Sequence, residues 1–193
     1  MIYLFLAPGF EEIEALCPLD LMRRAGLKVT TVGVGGCDVT GAHGITVRAD
    51  IADRDFSDDT LEMVFLPGGM PGTLNLAASD AVKSAIRSVV ACDGYLAAIC
   101  AAPSILGDMG LLAGKEAICF PGFEDRLTGA HISRRRVVLD GKVLTAAGMG
   151  VALEMGLKIV EIFCGAEAAD KLKHGILARS EERRVGKECR SRW

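Results

Sequence analysis

Near-continuous apolar runs that are too short to cross a membrane, each followed by a stretch with helical periodicity, constrain this chain most. Met1–Ala7, Met63–Leu66 and Tyr95–Ile99 are such runs, and Lys28–Val34 reads as a further strand. A strand covered on both faces reads as an unbroken apolar run, whereas a strand with one wet face alternates. The intervening segments carry helix signals. Ile13–Ala25 places Ile13, Leu16, Leu21 and Met22 roughly on one face, with Gly26 as its stop. Ser79 is a suitable N-cap for a helix to about Ala91. Ala101–Met109, Val151–Cys164 and Glu167–Leu177 follow the same pattern. Ile45–Ile51 and Ala117–Cys119 read as short strands, and "RRRVVLDGKVLTAA" as a hairpin turning at Asp140-Gly141. Strand and helix in alternation predict an α/β sandwich with a mostly parallel central sheet and flanking helices. Residues 1–179 are expected to form a single domain.

The last stretch, "SEERRVGKECRSRW" at 180–193, is highly charged, has no apolar periodicity and reads as a non-native scar or a disordered tail. The N-terminus has no basic region and turns acidic early, which argues against a signal peptide and for a cytoplasmic protein. Seven cysteines at irregular spacing, without a CxxC pair, fit reduced thiols better than a disulfide framework. With only three histidines, no metal site is expected, and no cofactor motif is present. A net charge of −3 and no basic stripe interleaved with aromatics give no signal for nucleic-acid binding.

In an open parallel sheet, ligands bind beyond the C-terminal ends of the strands. Three segments should therefore converge there: "APGFEEIEA", "LPGGMPG" and "YLAAICAAPSIL". Cys100 falls on the turn from strand to helix, between small residues and ahead of Pro103, which suits a first helical turn. That is the place of a nucleophile elbow. A buried, inert core thiol is the other reading. Glu11 and Glu12 read as solvated first-turn charges that complement the helix dipole. Glu14, among Ile13, Ala15 and Leu16, faces inward and needs a partner. A thiol is a suitable one: the pair would share one proton and titrate as a unit, giving a nucleophile and an acid/base group together. The helix N-terminus after Cys100 would further favour thiolate. The glycine loop lacks the lysine of a phosphate-binding loop, and its role would be to let amides approach sulfur, with Gly69 and Ala101 forming an oxyanion hole.

"PGFEEIEAL", "DLMRRAGLKV", "LPGGMPGTLNL" and "AAICAAPSIL", in this order and spacing, resemble the DJ-1/PfpI family, with "GLKIVE" agreeing more weakly. The bacterial DJ-1-like branch is the nearest in pattern. The resemblance implies a flavodoxin-like sandwich and a homodimer. It implies a reactive Cys100, a partner carboxylate at Glu14 and glycine amides at Gly68 and Gly69. It matches Arg24 to a dimer-interface arginine and His43 to a basic residue that reaches the partner subunit's site. Ala101 stands where the proteolytic branch has histidine, so a Cys-His protease is not expected. Phe120 and Met149 also depart from the family pattern, in the pocket. The implied activity is a cofactor-independent, cysteine-dependent glyoxalase or deglycase acting on small 2-oxoaldehydes such as methylglyoxal. The alternative is an oxidative-stress sensor or chaperone that works through oxidation of Cys100.

Overall fold

The computed structural model describes residues 1–178. In chain order the elements are β1 (Ile2–Leu6), α1 (Glu12–Arg24), β2 (Val29–Gly33), β3 (Asp38–Thr40), β4 (Thr46–Arg48) and β5 (Ile51–Ala52). Then come β6 (Met63–Leu66), α2 (Gly72–Ala78), α3 (Asp80–Ala91), β7 (Tyr95–Ile99) and α4 (Pro103–Asp108). The chain continues through β8 (Glu116–Ala117), β9 (His131–Ile132), β10 (Val137–Asp140), β11 (Val143–Ala146), α5 (Ala152–Cys164) and α6 (Ala166–Gly175). Seven strands form the central sheet in the order β10-β11-β7-β6-β1-β2-β5. All neighbours are parallel except the β10–β11 hairpin.

The apolar runs are explained by what lies on each side. From β1, Tyr3 and Phe5 enter a core with Val82, Ile86 and Val89 of α3 and Ile105 and Leu106 of α4. Ile2, Leu4 and Leu6 enter the other core, with Ala15, Leu19 and Met22 of α1 and Met155 and Ile159 of α5. Successive strand residues point to opposite faces, so a sheet covered twice has no polar position to alternate with. The predicted α/β sandwich, mostly parallel and helix-flanked, is the observed architecture.

Several local expectations are corrected. The stretch Ile45–Ile51 divides into β4, which pairs antiparallel with β3, and β5, which joins the main sheet. Helix α2 carries no apolar periodicity long enough to register in the sequence and follows the glycine loop directly. Ile13 is 49% exposed, and α1 buries Glu12, Glu14, Ala15, Pro18, Leu19, Leu21 and Met22 instead. The helix after Cys100 begins only at Pro103. Ser79 caps α3 as expected, accepting from the Val82 amide. Residues 180–193 lie outside the described part of the chain.

Candidate active site

Two of the three predicted loops are joined at the C-terminal edge of the sheet by hydrogen bonds to backbone oxygens. The Glu11 amide donates to Gly68 O at 2.9 Å, the Gly72 amide to Gly9 O at 3.0 Å, and Asn75 Nδ2 to Pro8 O at 2.7 Å. The fit leaves no room for side chains. A Cβ at Gly72 would stand 2.5 Å from Gly9 O, and one at Gly69, whose φ is +92°, would stand 2.4 Å from the Glu11 nitrogen. The β1–α1 and β6–α2 loops are thus one interlocked unit, and this fixes Glu14 relative to the glycine amides.

Cys100 closes the unit from β7. Its φ of +64° is in the left-handed region, unusual for a residue with a Cβ. That conformation costs roughly 1–2 kcal/mol. Two backbone bonds hold it: the Cys100 amide donates to Ala146 O at 2.9 Å, and Cys100 O accepts from the Phe120 amide at 2.7 Å. Cys100 as a residue is half-buried. The amides of Ala101 and Gly69 donate toward it. The sulfur therefore faces the backbone of the turn itself, and the helix N-terminus expected to act on it lies farther along the chain.

Glu14 is 1% exposed and meets the thiol across Gly68. The Gly68 amide donates to Glu14 Oε2 at 2.9 Å, and the Met149 amide also donates to the carboxylate. A Cβ on Gly68 would lie 2.6 Å from Glu14 Oε2 and 2.7 Å from Cys100 Cβ. Glycine at this position is therefore a condition for the carboxyl and the sulfur to meet. Burial and the neighbouring Glu11 charge push the Glu14 carboxyl up to about 7, against the pull of its hydrogen bonds to Cys100 and the two amides. Burial, then the charge of Glu14, pushes the Cys100 thiol up to about 12, which the Ala101 and Gly69 amides only partly offset. Two acids whose charged forms repel lose their protons in two well-separated steps that belong to the pair. Between those steps the carboxyl is ionised and the remaining proton stays on the sulfur.

Glu12 was missed. Expected to be a solvated charge, it is 3% exposed. Its Oε1 accepts from the His43 amide at 2.8 Å, and Oε2 lies 2.7 Å from His43 Nδ1. Burial alone would raise this carboxyl, but bonds from the His43 ring and from the His43 and Ile45 amides hold it below the ordinary range. The signal lay in space and not in sequence: a Cβ on Gly41 would stand 2.4 Å from Glu12 Oε1. Glu11 caps α1 by accepting from the Glu14 amide at 2.7 Å. Glu11, Glu12 and His43 bring ligand atoms within 4.8 Å of one another, although the Glu12 oxygens already serve the β3–β4 loop.

The other expected residues divide. Gly68, Gly69, Ala101, Glu14 and Cys100 meet at one point. His43 is exposed and held on Glu12. Arg24, expected among the substrate-binding or interface groups, lies ten residues along α1 from Glu14, about 15 Å away at helical rise. It pairs with Asp20 at 2.6 Å and takes no part in the Cys100 site within this chain. Phe120 and Met149 are 48% and 53% exposed beside the site. Phe120 Cδ2 and Glu14 Oε1 both lie within 4 Å of where a Cβ on Gly148 would be, so Gly148 keeps open the space between them.

The raised Glu14 carboxyl has a consequence for stability. Unfolded, it ionises near 4.5; folded, near 7. In that interval the folded chain holds a proton the unfolded chain has lost, so stability falls as pH rises through it. The stabilising difference is fully present below 4.5 and lost by about 7. The shift corresponds to roughly 3 kcal/mol. Urea unfolding of wild type and Glu14→Gln between pH 4.5 and 8 should therefore show the variant gaining on wild type as pH rises. Parallel curves would mean that the buried carboxyl titrates normally.

The DJ-1/PfpI family model matches residues 1–162. The chain is 37% identical over 177 residues to the Parkinson disease protein 7 homolog of Danio rerio, covering 89% of this chain and 94% of that one. It is 33% identical over 164 residues to the glutathione-independent glyoxalase DJR-1.2 of Caenorhabditis elegans, covering 84% and 87%. The crystal structure of Drosophila melanogaster DJ-1beta superimposes with a TM-score of 0.87 at 33% identity, covering 93% of this chain and 98% of that one. Interlocked glycine loops, an elbow cysteine and a buried carboxyl thus sit within a match that spans the chain, which belongs to the DJ-1/PfpI family.

Proposed function

We propose that this protein is a cysteine-dependent, cofactor-independent glyoxalase or deglycase acting on small 2-oxoaldehydes such as methylglyoxal, or on their adducts. The observation that carries the reading is the Glu14 carboxyl buried against Cys100 with two backbone amides directed at the sulfur. A relative of this chain carries the name glutathione-independent glyoxalase, which supports the same reaction class.

The chemistry follows from the pair. Sulfur adds to the aldehyde carbon as its proton moves toward the new oxyanion, giving a hemithioacetal. The Gly69 and Ala101 amides stabilise negative charge as it develops, which is what oriented donors do best. Glu14, now a carboxylate, removes the hydrogen on the former aldehyde carbon and returns a proton to the neighbouring carbon. That converts the adduct to the thioester of a 2-hydroxy acid with no change in net oxidation state. Water then cleaves the thioester, releasing the acid and restoring the thiol. Ala101 offers no imidazole at the position next to the nucleophile, so acid/base work falls to Glu14. The second reading, a sensor in which Cys100 is oxidised to sulfinate, draws on the same amides, which would accept the new oxygens as hydrogen-bond partners.

A homodimer is part of this proposal. Ile13, Cys17, Asp20 and Arg24 recur at helical spacing on the outer face of α1. Ile13 at 49% exposed and Leu153 of α5 at 41% leave apolar surface there for a second copy to cover. In such a dimer His43 and Arg24 would act across the interface. No described helix is long and apolar enough to cross a membrane, and a cytoplasmic location is proposed with the rest.

Lactate formation from methylglyoxal by chelator-treated protein tests the reaction. Cys100→Ser should abolish it, and Glu14→Gln should lower it by ~10²–10⁴-fold, the cost of losing a positioned acid/base. Wild-type turnover should rise with pH around 7, as the pair loses its first proton. Full turnover in Glu14→Gln would remove the role given to the carboxyl. Sedimentation at micromolar concentration should report a dimer, and Ile13→Glu should give monomer; a wild-type monomer would leave His43 and Arg24 without a cross-subunit role.

A further inference from the structure

At the opposite end of the sheet from Cys100 lies a trough that the proposed reaction does not use. One part, ≈ 330 Å³, is lined by Val90, Leu96, Leu111 and Val143, with Lys115 and Lys142 on its rim. A second part, ≈ 420 Å³, adds Arg87, Ala91 and Met109 and shares Val90 and Leu111 with the first. The shared residues make the two parts continuous. Small-molecule pockets begin at about 300 Å³. The trough opens at the starts of β7 and β11, and Leu96 is four residues before Cys100, about 13 Å along an extended strand.

Its charge is unusual for this chain. The whole protein carries a net −3, yet three cations border the trough, with Asp93 the one acidic side chain lining it. Lys142 is engaged already, 3.7 Å from Asp93 and 4.4 Å above the Tyr95 ring. Lys115 is half-buried, and Arg87 is exposed on α3. Among the described residues neither has a carboxylate within ion-pair distance, whereas the acids nearby are spoken for: Asp108 by Arg126, and Asp140 by the Glu116 amide. Val90, which lines both parts, is 46% exposed. A part-buried ammonium without an ion-pair partner beside exposed apolar surface matches a ligand with both features.

We infer that this trough binds a small amphiphilic anion: a carboxylate or phosphate head at Lys115, on an unbranched apolar tail lying over Val90, Leu111 and Val143. The head pairs with Lys115, which has no carboxylate within ion-pair distance among the described residues. The tail covers the valine and leucine surface, which gains about 25 cal/mol per Å² removed from water.

Amide NMR titrations test it, with octanoate and octyl phosphate as ligands and acetate, octanol and octylammonium as controls. Both octyl anions should shift residues 87–96, 109–116 and 141–144 and leave residues 98–102 unmoved, and comparison of the two identifies the preferred head. Acetate and octanol should bind far more weakly, octylammonium not at all. Lys115→Gln should weaken octanoate roughly fivefold, as expected for a half-exposed ion contact. Val90→Asp, an exposed change that places a carboxylate in the trough, should abolish binding. Equal shifts with octanol or octylammonium, shifts centred on Cys100, no shifts at all, or unchanged affinity in Lys115→Gln would each overturn the inference.

Discussion

A buried carboxyl group meets a thiol across a glycine that has no room for a side chain, and the rest of the site is arranged around that contact. Glu14 is almost fully buried, so its charge is expensive, and Cys100 beside it makes a second charge more expensive still. The backbone distributes the cost. Gly68 and Met149 donate to the carboxylate, and Gly69 and Ala101 donate to the sulfur. Neither group is neutralised by a lysine, arginine or histidine among these contacts. Above about pH 7 a carboxylate therefore stands beside a protonated thiol, an arrangement that puts a base next to a nucleophile.

The frame that holds the contact is made of backbone. Strand β1 delivers Glu14 through α1, β6 delivers Gly68 and Gly69, and β7 delivers Cys100. Their parallel register, Leu4 with Phe65 and Leu66 with Ala98, brings all three loops to one edge. Hydrogen bonds between Glu11 and Gly68 and between Gly72 and Gly9 then set the loops against each other. Two apolar cores, one on each face of the sheet, supply the burial that keeps the left-handed Cys100 backbone in place. The strain at Cys100 and the charge at Glu14 are both small against that burial.

What could be seen in the sequence and what could not differ by distance. The strands were legible because burial on both faces removes alternation, and Cys100 was legible because a strand, a turn and a proline-started helix are all local. Glu14 was legible as a carboxyl out of place in an apolar stretch. Glu12 was not: its neighbours in sequence make it an ordinary first-turn acid, and only the returning β3–β4 loop, with Gly41 and His43, encloses it. The outward turn of Ile13 was hidden for a related reason, since the helix buries two glutamates on the side where apolar periodicity would have placed the core. Helix α2 starts within a glycine loop and is held by contacts to β1 and α3, which no local pattern encodes.

The coupling of the two groups is open to direct measurement through the rate at which Cys100 is alkylated by limiting iodoacetamide, read by mass spectrometry across pH. The carboxyl gives up its proton near pH 7, and with that charge alongside, the wild-type rate should rise only at strongly alkaline pH, toward 12. In Glu14→Gln the charge is gone, and the rise should move to lower pH while burial still holds it above the ordinary thiol range. A wild-type rise in the ordinary thiol range, or a Glu14→Gln variant whose rise does not move, would contradict the account.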